Sequence, residues 1–289
     1  MGVCYRFAQG TRRDNAQALK WFRKAADKGN ALAQYNLGCM VLTGEGAESQ
    51  DSFEAARWFR KAAVQGQASA QYNLAALLRE GDGVEQDLAE AVSWYLKGAK
   101  QGDAECQYSL AKMYVHGMGV KHDYAEAVNW YEKAVAQNCA DSQLNLGILY
   151  FDGTGVKKDI AKAVELYTRA ADQGNVSALS TLASVYEHGP GPVQKNLTKA
   201  TELYKEAAKQ GFEPAIKGLA RIRSGRDESK VPIVVGARVK LRGLQNNIEL
   251  NSAAGVVVGI DLQTSNFSVK LDGGKGTFKL KLQNLSKVY

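Results

Sequence analysis

The sequence predicts a mainly α protein: a right-handed α-solenoid of helix-turn-helix repeats followed by a small antiparallel β-barrel. Three observations carry this expectation. First, Trp21-Phe22, Trp58-Phe59, Trp94-Tyr95 and Trp130-Tyr131 recur at intervals of 37, 36 and 36 residues. Leu166-Tyr167 and Leu203-Tyr204 keep the beat. Second, the hydrophobic period changes from helical to alternating after about residue 230. Third, the charge changes at the same place. Residues 230–289 hold nine of the 37 basic and three of the 30 acidic side chains, so most of the net +7 lies there.

Gly29, Gly66, Gly102, Asn138, Gly174 and Gly211 close the repeats, and full units open at Asn30, Gln67, Asp103, Cys139 and Asn175. Each unit is predicted to hold two helices, A then B. Helix A shows apolar or small residues at its fourth, eighth and eleventh or twelfth places, such as Cys106, Leu110, Met113 and Tyr114. Its ninth place is small (Gly38, Ala75, Ala111, Gly147, Ala183), which lets a neighbouring helix approach. A glycine pair, as in Gly81-x-Gly83, Gly117-x-Gly119 and Gly153-x-Gly155, then ends helix A. Helix B opens at Asp14, Asp51, Asp87, Asp123, Asp159 or Asn196, all good N-caps. Glu54, Glu90 and Glu126 stand three residues later, the spacing of a capping box. Phe212–Arg223 repeats the helix-A pattern without a helix B and reads as a terminal cap. Pro190 and Pro192 predict a distorted turn in the last unit.

Met1–Tyr5 aligns with Leu146–Tyr150, so the chain opens at the eighth place of a helix A whose first turns are missing. The expectation is of further repeats upstream. The domain boundaries read as a repeat solenoid over 1–223, a polar linker over 224–230 and a five-stranded barrel over 231–289. The solenoid comprises a partial first repeat, five full repeats and the cap helix. In the last segment Arg238–Arg242, Phe267–Leu271 and Thr277–Leu282 alternate, Ala254–Ile260 is apolar throughout, and a short strand is expected near Asn284–Val288.

The strings Gln34-Tyr35-Asn36-Leu37-Gly38, Gly117-Met118-Gly119-Val120, Asp123-Tyr124-Ala125-Glu126-Ala127 and Trp130-Tyr131-Glu132-Lys133-Ala134 resemble the Sel-1-like repeat (SLR), a relative of the tetratricopeptide repeat. The resemblance covers about residues 1–223. It implies that helix A lines a concave groove, and that the protein assembles complexes. The carboxyl-terminal segment is similar in pattern to a small barrel of the Src-homology-three-like superfold.

The strings of familiar enzyme classes are missing: no His-Glu-x-x-His, Cys-x-x-Cys, Gly-x-Ser-x-Gly or phosphate loop occurs. No cofactor is expected. Each Gly-x-Gly follows a helix, where a dinucleotide fingerprint requires a strand. Nor is a metal expected, because His116 and His188 sit two units apart and His122 precedes an N-cap. Cys4, Cys39, Cys106 and Cys139 take unrelated places, so the per-repeat cysteine pair of some secreted relatives does not carry over. Reduced thiols and a cytoplasmic compartment are expected. No apolar run is long enough to span a membrane, and no membrane partner is expected.

Two candidate surfaces remain. In helix A the seventh place reads Asn36, Asn73, Ser109, Asn145 and Thr181, a polar ladder whose amides suit a peptide backbone. Lys112 at the tenth place, with His116 and His188 at the fourteenth, joins it as a partner-binding groove. The plainer alternative is that these asparagines stabilise a neighbouring helix. The second surface is the basic barrel face of Arg238, Lys240, Arg242, Lys270, Lys279 and Lys281, with Lys275 nearby. It suits phosphates or an acidic protein, and it also matches an ordinary solvated strand face. The function expected is a non-enzymatic adaptor holding a protein or peptide. Its rivals are a nucleic-acid-associated protein tethered by the barrel, and a hydrolase of the kind suggested for some secreted relatives.

Overall fold

A computed structural model describes residues 2–7, 12–47, 49–223, 238–241, 254–261, 266–272, 277–281 and 285–287. The chain divides into two compact units, Met1–Ala220 and Arg221–Tyr289. The linker expected over 224–230 lies outside the described residues.

The helices follow the repeat. Helix A of the full units is α3 (Ala31–Thr43), α5 (Ala68–Glu80), α7 (Ala104–His116), α9 (Ala140–Asp152) and α11 (Val176–His188). Helix B is α2 (Asn15–Asp27), α4 (Ser52–Val64), α6 (Leu88–Lys100), α8 (Tyr124–Ala136), α10 (Ile160–Asp172) and α12 (Leu197–Lys209). Each of these has 13 residues, a rod of about 20 Å. The short α1 (Gly2–Phe7) takes the helix-A place before α2, and α13 (Glu213–Arg223) follows α12. Gly2 lies against the ring of Phe22 as Gly38 lies against Phe59 and Gly147 against Tyr167. The register read for the chain's first residues therefore holds in three dimensions.

The core of each hairpin is one helix-B ring packed on helix A. Phe59, Tyr95, Tyr131 and Tyr167 are buried, as are Leu37, Leu74, Leu110 and Leu146. Tyr35, Tyr72 and Tyr108 tilt against Phe59, Tyr95 and Tyr131 with ring centroids 6.1, 5.9 and 6.1 Å apart. Burying each such ring stabilises the hairpin by about 2 kcal/mol. It also pushes the Tyr95 phenol up to about 12.

Each glycine of the pair has its own task. Gly44, Gly81, Gly117, Gly153 and Gly189 cap helix A in the left-handed conformation. The second glycine makes a close approach to the preceding repeat. A Cβ on Gly83 would stand 2.3 Å from the Ser52 carbonyl carbon, and one on Gly119 would stand 2.3 Å from that of Leu88. So the loop of one repeat rests on the first turn of the helix B before it. Pattern reading assigned the pair to helix termination alone.

The capping boxes are corrected too. Asp51 and Asp87 do cap, accepting from the Glu54 and Glu90 amides at 2.8 Å. The N-cap amides, however, donate to helix A: Asp51 N to Val41 O at 3.1 Å, Asp87 N to Leu78 O at 2.9 Å, Asp123 N to Tyr114 O at 3.1 Å. The glutamates are therefore spared for contact between repeats. Arg23 of α2 donates to Glu54 at 2.8 Å, and the Trp58 indole donates to the same carboxylate at 3.0 Å. Arg60, Glu90 and Trp94 repeat the arrangement one unit on. Leu96 takes the arginine's place in α6, and among the described residues no side chain holds Glu126 and the buried Trp130 Nε1 has no partner.

In the second unit, β1 (Arg238–Leu241), β2 (Ala254–Asp261), β3 (Asn266–Leu271), β4 (Thr277–Lys281) and β5 (Leu285–Lys287) form one antiparallel sheet in the order β4-β3-β2-β1-β5. The expected barrel is not shown. Among the described residues no pairing joins the edge strands β4 and β5.

Two outcomes test this account. Gly83→Ala meets both a positive φ and helix backbone and should cost more than about 2 kcal/mol in urea unfolding. Gly81→Ala shares the positive φ but meets only the Gln86 stem and backbone at 3.2 Å or more, and should cost about 1 kcal/mol. Glu54 and Glu90 are held below the ordinary 4.5 chiefly by their arginine hydrogen bonds. Their stabilisation is complete above that value and is lost as pH falls through the depressed one. Glu54→Gln plus Glu90→Gln should lower the melting temperature at neutral pH, and the gap to the parent should close as pH is taken below about 4.5.

Candidate functional site

The helix-A ladder places one polar residue at the same position of five helices. The structure shows what each does. The Asn36 amide donates to Leu32 O and that of Asn145 to Asp141 O, both at 2.8 Å, and the Thr181 hydroxyl donates to Ser177 O at 2.8 Å. These are bonds to the carbonyl four residues back on the same helix. Asn73 instead reaches the previous repeat, its amide 3.9 Å from the Cys39 sulfur. Ser109 is buried. Among the described residues the Oδ1 atoms of Asn73 and Asn145 accept no hydrogen bond, whereas that of Asn36 accepts from Arg6 at 3.2 Å.

Charge is arranged across this face. Arg6 also pairs with Glu45 at 3.2 Å, at the amino end of the row. Glu105 and Asp141 occupy the third places of α7 and α9. Burial, then Asp103 and Asp141, raise the Glu105 carboxyl above its ordinary value. Lys112 lies seven residues along α7 from Glu105, about 10 Å on a helix, with its ammonium 5.4 Å from the Tyr108 ring centre. His116 and His188 are exposed at the ends of α7 and α11, where the His188 Nδ1 lies 2.8 Å from Ser184 O. Beside Asn36, burial pushes the Cys39 thiol up. Among the described residues no group of His, Cys, Asp or Glu is placed to hold a metal. Among them too, no helix is long and apolar enough to cross a membrane.

Pattern reading missed a second ladder. Gln34, Gln71, Gln107 and Gln143 take the fifth place of helix A and are buried. The first three donate to Ala26 O, Ala63 O and Ala99 O at 3.1 Å, at the end of the preceding helix B. Each Oε1 accepts from the glutamine at the end of its own helix B: Gln65, Gln101, Gln137 and Gln173, at 2.7 to 2.9 Å. Gln143 donates to Asn138 Oδ1 at 2.9 Å. Asn138 stands where other repeats have glycine, at φ 64°. One buried amide thus joins three helices of two repeats. The recurrence of glutamine at 37, 36 and 36 residues was the available signal, but glutamine is polar and drops out of a hydrophobic period.

A family model for the Sel1 repeat matches residues 1–30, 31–67, 68–103, 104–139, 140–175 and 176–212. The chain belongs to the Sel1-repeat family. Sel1-repeat proteins generally mediate protein–protein interaction, and their solenoids are typically non-enzymatic scaffolds. Among solved structures the chain is similar to a protective antigen of uropathogenic Escherichia coli that displays an SLR fold. The identity is 34% and the TM-score 0.70, over 78% of this chain and 49% of that one. This Sel1-repeat chain therefore spans about half the length of that relative. It is also similar to a Sel1 repeat protein from Oxalobacter formigenes, at 37% identity and a TM-score of 0.67, over 72% of this chain and 85% of that one. No curated protein matches the chain in sequence.

In the sheet, the register puts Arg238, Lys240, Lys270, Lys279 and Lys281 on one side, while Lys287 pairs opposite Val239 on the other. Arg238 pairs opposite Val256, Val256 opposite Lys270 and Lys270 opposite Thr277, while Lys279 and Lys281 follow Thr277 at alternate positions. Lys240 follows Arg238 in the same way. The other side carries the buried Val239, Leu241, Val269 and Leu271. Arg242 and Lys275 lie outside the described residues.

Gln107→Leu removes the amide that serves Ala99 O and Gln137. It should cost about 2 kcal/mol in chemical unfolding. Ser93→Ala, at an exposed position of α6, should change stability by less than about 0.5 kcal/mol.

Proposed function

We propose that the chain is a non-enzymatic adaptor that holds a peptide or a segment of a partner protein along its helix-A row. The observation that carries this reading is the pair of unengaged acceptors, Asn73 Oδ1 and Asn145 Oδ1, two repeats apart on the same helical position. A peptide N–H donates to each acceptor. The Asn145 amide can exchange Asp141 O for a peptide carbonyl at little cost, because that carbonyl keeps the amide of its own helix. The acidic Glu105 and Asp141 on one rim and the basic Lys112 and His116 on the other favour one peptide orientation. In this reading residues 231–289 close as a small barrel, and the protein works in the cytoplasm. Four cysteines outside any disulfide support a reducing compartment. A second reading places nucleic acid on the sheet, favoured by the shared side of Arg238, Lys240, Lys270, Lys279 and Lys281.

The test begins with peptides selected on the full chain from a random library. Asn73→Ala plus Asn145→Ala should weaken the selected peptides by about tenfold or more in anisotropy titrations, with unchanged circular dichroism. Unchanged affinity would remove the groove. Tight oligonucleotide binding whose logarithm falls linearly with that of salt concentration would favour the second reading.

A further inference from the structure

The outward faces of the B helices are alike in shape and unlike in chemistry. At matched places α8 reads Ala125, Asn129, Glu132, Lys133 and Ala136, whereas α4 reads Phe53, Arg57, Arg60, Lys61 and Val64. Among helices α2 to α12, α4 is the helix B with a large apolar residue at both ends of this stripe. Both are open to solvent: Phe53 is 59% exposed and Val64 is 71% exposed. The only carboxylate on α4 is Glu54, already taken by Arg23 and Trp58. Arg60 is paired with Glu90. Arg57 and Lys61 make no ion pair among the described residues. They rest over the rings of Phe53 and Trp58, 5.9 and 4.0 Å from the ring centres. A shallow cavity of about 520 Å³ opens along the stripe, lined by Gln34, Arg57, Arg60, Lys61, Val64 and Gln65.

We propose that this stripe docks an amphipathic acidic helix of a partner protein, on the helix-B side and separate from the helix-A row. The pattern apolar, basic, basic, apolar spans eleven residues, three helical turns or about 16 Å. A helix laid along α4 meets it with apolar, acidic, acidic, apolar at the same spacing. Its apolar residues cover Phe53 and Val64, and its carboxylates reach Arg57 and Lys61, which lack them. Charge complementarity selects an acidic partner. The apolar ends select a protein over a nucleic acid: bases stack on ring faces, yet Val64 has no ring and a cation already sits over the Phe53 ring.

The probe is a labelled synthetic helix of about sixteen residues, with leucines eleven apart and glutamates four, seven and eight residues after the first, on an alanine and glutamine background. It is titrated by anisotropy against the full chain at several salt concentrations. We expect saturable binding that weakens with salt, and about tenfold weaker binding of a scrambled peptide of equal composition. Arg57→Gln plus Lys61→Gln should weaken the probe about tenfold, and Phe53→Ala or Val64→Ala severalfold. All four side chains are exposed, so circular dichroism and melting should be unchanged. Asn73→Ala plus Asn145→Ala should leave this binding intact, which separates it from the groove. The proposal is overturned by no binding at low salt, by equal binding of the scrambled peptide, or by variants that bind like the parent. Tighter binding of a single-stranded oligonucleotide that the Arg57→Gln plus Lys61→Gln variant loses would overturn it in favour of nucleic acid.

Discussion

One hydrogen bond defines the unit from which the solenoid is built. The N-cap amide of each helix B donates to a carbonyl in the last turns of helix A, from Asp14 to Tyr5 O through Asn196 to Tyr186 O. A helix end leaves such groups without intrahelical partners. Joining them across the turn satisfies a donor and an acceptor at once and sets the hairpin geometry. With that geometry fixed, the aromatic of helix B arrives over the small ninth residue of helix A, and the hydrophobic core follows. It also leaves the first-turn glutamates free to face the neighbouring repeat.

Stacking then needs only short-range interactions, as expected of an array in which each repeat touches its neighbours. Beside the Arg23–Glu54 and Arg60–Glu90 pairs, two devices do this. The second loop glycine lets one repeat rest on the backbone of the one before. The buried glutamine ties the end of the previous helix B to both helices of its own unit. Neither device uses the face occupied by Asn73 and Asn145, nor the side chains of Phe53, Arg57, Lys61 and Val64 on α4. Those two faces are therefore open to variation without loss of the fold, which is where differences between repeats collect.

The helical hairpins were legible because their signals are local and repeated: N-cap aspartates, closing glycines and aromatic pairs. The placement of Gly2 could be read from the same register. The inter-repeat bonds were not legible. A glutamate three residues after an aspartate looks the same whether it returns to the N-cap amide or accepts from Arg23 of the previous unit. A buried glutamine looks like a surface residue until its partners are known. On the candidate site, the sequence supplied the row from Asn36 to Thr181 but not its existing bonds. Those depend on whether each side chain turns back to its own helix, as Asn145 does, or across to the next, as Asn73 does.

The glutamine ladder has an end. In the last full unit the fifth place of helix A is Leu179, and Gln210 finishes α12 without a buried amide to meet. Chain opening in a linear array spreads one interface at a time, and each interface adds its own coupling to its neighbours. The α10–α11 boundary lacks the bond that Gln34, Gln71 and Gln107 make to a helix-B carbonyl at the α2–α3, α4–α5 and α6–α7 boundaries. Asn175 bridges it instead, its side-chain amide donating to Asp141 Oδ1 at 2.7 Å. The last unit is therefore joined to the array by a surface bond where earlier units use a buried one.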